Sequence, residues 1–398
     1  MDLLVRPKFE KSRLNFSSFR NYVSNCSFTS LDAIRHFTIV SEALYPQHLT
    51  WNRTSWTAQP TRKVKLVPWY FLSFMVAMSA SCSMYIAIRE IFRFHKDPEI
   101  NIYTGIVGLV QMCMSSFNTF QAINMISTVC ECCFMLNHLH MTKGRRGDDN
   151  DYKEPKLIGV LLNFVLIPSI IITPSCAALF PIIVHNVDPT YFWFRNILLF
   201  STHSKLAVII RMVIIFLTLR HGCVLVNATV ITYVNIGLMV NSYLKQLTKR
   251  DEVHNFAKKL HKYRQLQIIM IITNHTIQDI MAAGLLTFFI CFVIVGYIVV
   301  RLSNVFPTAM ILLCIIFILF FVIFVHSILP LAIGGIARSE EFIRDWEVQN
   351  LPKVERKELK SCNILRHRVG PYTTLTKGFR TNFFSFVLYH TVNLIIVL

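Results

Sequence analysis

Seven stretches of this chain, roughly 69–88, 103–130, 157–184, 206–243, 281–300, 307–330 and 381–398, are apolar over about the 20 residues that one helical crossing of a bilayer takes. The runs are continuous and do not alternate, which fits helices and not an outer-membrane barrel. Charged residues make up only 16% of the 398, against about 25% in soluble domains. The expected fold class is therefore an all-α membrane protein with seven transmembrane helices. The fourth run is the ambiguous one, because Arg220, His221 and Gly222 interrupt it. Splitting it would place the basic stretch 245–280 opposite the N-terminus, so one long helix extending past the bilayer is expected.

Charge sets the orientation. Under seven spans, 32 of the 40 Lys and Arg fall on the N-terminal side, in 1–68, 138–156, 245–280 and 331–380. Six fall opposite: Arg89, Arg93, Lys96, Arg195, Lys205 and Arg301. The positive-inside rule then predicts a cytoplasmic N-terminus and an extracellular C-terminus. This excludes the topology of a G-protein-coupled receptor, and no Asp-Arg-Tyr or Asn-Pro-x-x-Tyr is found at the ends of the third and seventh runs. Glycosylation sequons at Asn15, Asn25 and Asn52 point the other way, since they are usable only on an external leader. The leader has no apolar h-region, so no cleavable signal peptide is expected and the first span acts as the insertion signal.

The organisation that follows is a cytoplasmic leader over 1–67, helices one to six over 68–330, an anchor segment over 331–380 and a final helix over 381–398. Residues 251–280 lack Pro and Gly and place Phe256, Leu260, Tyr263, Leu266 and Met270 at helical spacing. They read either as a surface helix on anionic lipid, favoured by Lys258, Lys259, Lys262 and Arg264, or as part of a helical packing domain with extensions of the fourth and sixth helices, the latter over 331–351.

Tyr263-Arg264-x-Leu266 and Asn274 ahead of the fifth span, ARSEEF over 337–342 after the sixth, and a short last helix together resemble the arthropod gustatory receptor family. The likeness is best from the fourth helix onward. The resemblance implies a ligand-gated, non-selective cation channel at the plasma membrane, detecting small molecules as a homotetramer or as a heteromer with a related subunit. The family's terminal Thr-Tyr and Gln-Phe are not matched, because Val392 follows Thr391 and the sequence stops at Leu398, so a divergent member is implied. In such an assembly the last helix would line the pore, with YHTVNLIIVL ending at its external mouth.

Within that helix Phe386, His390, Asn393 and Val397 recur on one face and are the candidate pore-lining residues: apolar rings gate by dewetting, and polar groups pass ions. The alternative is a packing face with two satisfied polar groups. Gln111, Ser115 and Asn118, with Gln121 beside them, form a polar stripe in the second span, where contact with lipid would be costly. Hydrogen bonding between helices accounts for such a stripe, and so does a ligand pocket. Arg220 deep in the fourth helix, with Tyr85 and Tyr297, completes the candidate pocket, and Phe117, Phe120 and Phe180 are candidates for its apolar wall. Arg211 lies close enough to the helix end to snorkel.

Enzyme chemistry is not indicated. Cys130, Cys132 and Cys133 form a single cluster without the second Cys pair of a structural zinc site, and no phosphate loop or nucleophile elbow occurs. No cofactor is expected. The net charge of +18 is accounted for by loops facing anionic lipid, so the bilayer and a small-molecule ligand are the expected partners and nucleic acid is not. A G-protein-coupled receptor and a secondary transporter are the rival classes. The latter usually shows repeated Gly or Pro breaks in two halves, whereas Pro168, Pro174 and Pro181 break the third span alone.

Overall fold

The computed structural model describes residues 29–92, 97–98, 100, 102–144, 156–183, 188–195, 204–248, 256–304, 308–349, 351–371 and 373–397. The sequons at Asn15 and Asn25, and Arg93 and Lys96, lie outside them. Among the described residues, six helices are long and apolar enough to cross a membrane. They are α2 (Val67–Phe92), α3 (Ile102–Gly144), a broken third span, α8 (Lys205–Thr248), α9 (Phe256–Arg301) and α10 (Thr308–Glu347). The final helix α12 (Phe379–Val397) has 19 residues and is not among the six. Its Arg380, Asn382, His390 and Asn393 lower its apolarity. The all-α membrane architecture and its seven long helices match the sequence reading, and α8 runs unbroken through Arg220, His221 and Gly222.

The third span is assembled from α4 (Lys156–Val160), a π-helical turn at Leu161–Leu166, α5 (Ile167–Ala178) and α6 (Phe180–Ile183). Pro168 and Pro181, near the starts of α5 and α6, lack the N–H that a continuous helix needs. At the π turn, Asn163 Nδ2 donates to Gly159 O at 2.8 Å and to Thr29 O at 3.2 Å, while its Oδ1 lies 2.6 Å from His36 Nδ1. The irregular turn thereby clamps helix α1 (Ser30–Leu44) to the third span.

The described part of the leader is folded. Thr29 and Asp32 make a reciprocal capping box that starts α1, and Ala33 and Ile34 are buried against Ile158, Leu162, Ile231 and Leu238. An antiparallel hairpin of β1 (Leu49–Asn52) and β2 (Thr57–Pro60) follows. Asn52 turns its side chain back on the hairpin tip, accepting from the backbone of Thr54 at 3.0 Å and Ser55 at 3.4 Å.

On the N-terminal side, α3, α8, α9 and α10 extend beyond their apolar windows and pack with α11 (Lys353–Lys360) around a second core. All five residues of the expected amphipathic face, Phe256, Leu260, Tyr263, Leu266 and Met270, are buried there. The segment is part of a helical packing domain and not a helix lying on lipid. Tyr263 stacks on Phe342 at 4.6 Å between centroids and donates to Asn363 O at 2.9 Å, while Ser339 Oγ lies 2.5 Å from its hydroxyl. Asn274 holds the next segment from both sides, donating to Arg366 O at 2.8 Å and accepting from Arg368 N at 3.0 Å. The motif residues are thus the bolts of the anchor. The segment then forms the short ladder of β3 (Arg368–Val369) and β4 (Thr373–Thr374) and leads into α12.

Candidate functional site

The central feature is a partly open cavity of about 190 Å³ bounded by the middles of α3, α8, α9 and α10. Its wall is almost wholly apolar and includes Phe117 from α3, Val230 and Val234 from α8, Ile277 and Phe288 from α9, and Phe321 from α10. His367 and Leu375, which flank the β3–β4 ladder, line its floor. An apolar cavity of about 150 Å³ binds benzene, so this one has room for a single ring with short substituents.

Among the polar side chains of the wall, which include Thr229, Tyr233 and Thr273, Gln121 stands apart. Gln121 is 1% exposed; its Nε2 donates to Thr229 Oγ1 at 3.3 Å, and its Oε1 has no hydrogen-bond partner among the described residues. A buried amide with one idle polar atom is a ready partner for a single hydroxyl or carbonyl on an otherwise apolar ligand. At the floor, burial pushes the His367 imidazole down to about 4, so it is neutral at physiological pH.

None of the six residues expected to form the pocket lines this cavity. Gln111 Nε2 donates to Ser79 Oγ at 3.2 Å and to Ser115 Oγ at 3.0 Å, a bridge between α2 and α3. Asn118 is buried against Gly222, where a Cβ would come within 2.4 Å of its Nδ2. Arg220 sits with its guanidinium 5.5 Å from the Phe216 ring. Tyr85 is 52% exposed on α2, and Tyr297 is buried among Ile106, Val110, Leu394 and Ile395. The stripe thus serves helix packing over most of its length. Its last member, Gln121, and the aromatic Phe117 are the sequence candidates that do reach the cavity.

Arg211 does not snorkel. It is 2% exposed and forms an ion pair with Asp188, which also accepts from Thr190 Oγ1 and from Tyr191 N at 3.1 Å at the start of α7 (Pro189–Trp193). Nothing in the residues around Asp188 marks it as the counter-ion of a helix residue 23 positions on. A salt bridge of Asp97 with Arg89 and Arg195 ties the same loop to the end of α2.

Helix α12 packs on α9 through Val387, Thr391, Leu394 and Ile395. The contact is close at Gly296, where a Cβ would lie 2.9 Å from Thr391 Cγ2. The candidate pore residues flank this face. Phe386 and Val397 are more than half exposed, and His390 packs against Phe386 and Phe289 at 4.3 and 5.5 Å between centroids. Rings in contact run from the cavity to this helix: Phe117 to Phe288 (6.4 Å), Phe288 to Phe321 (4.9 Å), Phe321 to Phe383 (6.4 Å).

The class of protein that this arrangement defines is an all-α membrane protein with a central apolar cavity and a helical anchor packed beyond the spans. Among solved structures, the insect olfactory receptor OR5 from Machilis hrabei in complex with eugenol matches with a TM-score of 0.66 and 11% identity, over 92% of this chain and 98% of that one. A second structure of the same receptor matches at 0.63 and 10%, with the same coverage. The chain therefore has the insect olfactory receptor fold. No protein-family model matches the sequence, and no curated protein does.

Proposed function

We propose that this chain is a chemoreceptor of the gustatory or olfactory receptor type: a ligand-gated cation channel at the plasma membrane, assembled as a homotetramer or with a related subunit. The observation that carries the reading is the apolar cavity of about 190 Å³ among the helices, joined by contacting rings from Phe117 through Phe288 and Phe321 to Phe383 of the final helix. The ligand is a small, mostly apolar molecule with one polar group, bound in the cavity against Gln121. The neighbouring fold was solved with the small molecule eugenol, which supports a site of that scale. Gustatory-type ligands are the reading favoured by the anchor motifs.

Gating is a population shift. A ligand that prefers the open arrangement presses on Leu375 and Phe321, and these contact the segment and rings that carry α12. Phe386, His390, Asn393 and Val397 line the conduction path, with α12 reaching the external side and the anchor cytoplasmic. The test is whole-cell recording on cells expressing the full chain during application of monocyclic phenols and alcohols, with Ile277→Phe as the variant that fills the cavity. Currents in the wild type that the variant loses, with surface expression unchanged, support the reading. Equal currents in both remove the cavity as the ligand site, and substrate flux without conductance would make the protein a transporter.

A further inference from the structure

A second recess, an open groove of about 500 Å³, lies on the lipid-facing side where α2, α3 and α9 meet. Met84, Ile88 and Ile91 of α2, Met112 and Phe120 of α3, and Leu286 of α9 line it, and its surface is mostly apolar, with Ser116 and Thr287 as its hydroxyl-bearing side chains. The two spaces share one residue, Phe117. Along α9, Gly284 and Phe288 face the cavity while Ala283, Leu286 and Thr287 face the groove, so the wall between the spaces is a single layer at the α3–α9 crossing. Phe117 fills that layer, its ring seated so closely on Gly284 that a Cβ there would meet Phe117 Cζ at 3.2 Å.

We propose, on the reading of the cavity as the ligand site, that Phe117 is the gate of a lateral entry route, through which apolar ligands dissolved in the bilayer pass from the groove into the cavity. The physics favours this path. A ligand of this class concentrates in the hydrocarbon, and the groove presents it with no polar barrier. The ring is held by packing alone, and Gly284 supplies the room into which no side chain projects. A rotamer change of this one Phe joins the two spaces. The occupant of the groove is the incoming ligand or the acyl chain that it displaces.

The experiment uses the full-length chain in phospholipid nanodiscs with fluorobenzene as probe, read by ¹⁹F NMR. The bound resonance gives occupancy, and exchange spectroscopy gives the rate between lipid-dissolved and bound pools. Phe117→Ala is expected to speed exchange about tenfold, and Ala87→Trp, which fills the groove from α2, to slow it by a similar factor while occupancy in Ala87→Trp stays within about twofold of the wild type. Ala87→Trp lies on the groove and not in the core, so it remains informative if Phe117→Ala fails to fold. Unchanged exchange in Ala87→Trp, with occupancy abolished by Ile277→Phe, overturns the lateral route and leaves the ligand site standing. Absence of a bound resonance, or one that Ile277→Phe does not remove, overturns the site and the route together.

Discussion

Breaking the Asp188–Arg211 pair should be among the most damaging single changes available in this molecule. Both side chains are almost fully buried, at 1% and 3% exposure. Asp188→Asn keeps the volume and the capping of α7, because Asn caps helices about as well as Asp. What it removes is the charge, which leaves a guanidinium enclosed without a counter-ion. Removing one partner of a buried pair costs about 3–5 kcal/mol, a factor of roughly a hundred or more in the folding equilibrium. Arg211→Met should cost a similar amount, since Asp188 keeps only Thr190 and the Tyr191 amide. The double variant should return to within about 1 kcal/mol of the wild type, because two neutral groups of similar size need no counter-charge. The assay is reversible unfolding in mixed micelles titrated with SDS, followed by tryptophan fluorescence and analysed as a double-mutant cycle. A cost below about 1 kcal/mol for Asp188→Asn, or additive single effects, would refute the argument that the pair offsets its own desolvation.

If the protein conducts ions as proposed, Gly296→Ala should shift its open–closed balance, because overpacking against Thr391 costs about 1–3 kcal/mol and exceeds the gain of about 1 kcal/mol in helix propensity. Adding Thr391→Ser removes the clashing methyl and should restore wild-type gating in single-channel records. Gln121→Leu should lose at least about fivefold in response to ligands bearing a hydroxyl while sparing those without one, read from dose–response curves. His367 is neutral in the fold and titrates near 6.5 when unfolded, so its burial lowers stability as pH falls from about 6.5 to 4, by about 3 kcal/mol in total. His48, which burial also holds near 4, contributes with the same sign, so His367→Gln should reduce the slope of thermal midpoint against pH without abolishing it. Asn393→Ala and His390→Ala should change reversal potential or conductance with assembly intact; unchanged permeation in both would remove them from the pore.

The seven helices were legible because each depends on a local property, twenty or so apolar residues, that a single sequence carries in full. The anchor was legible for a related reason: the 3.6-residue spacing of Phe256, Leu260, Tyr263, Leu266 and Met270 states which face is buried. It does not state what buries it, and the partners Phe342, Trp346 and Leu359 come from elements about 80 to 100 positions away. The site failed to be legible where chemistry was shared between elements. Gln111 and Gln121 look alike in a stripe, yet one finds Ser79 across the helix interface and the other is left with an idle atom on a cavity wall. Arg211 looked able to snorkel because nothing local marks Asp188 as its counter-ion. Polar residues inside a membrane announce only that something must satisfy them. Where the fold pairs them across a helix interface they become structure, as with Gln111 and Arg211, and where it leaves an idle atom on a cavity wall, as at Gln121, it leaves an opening for a ligand.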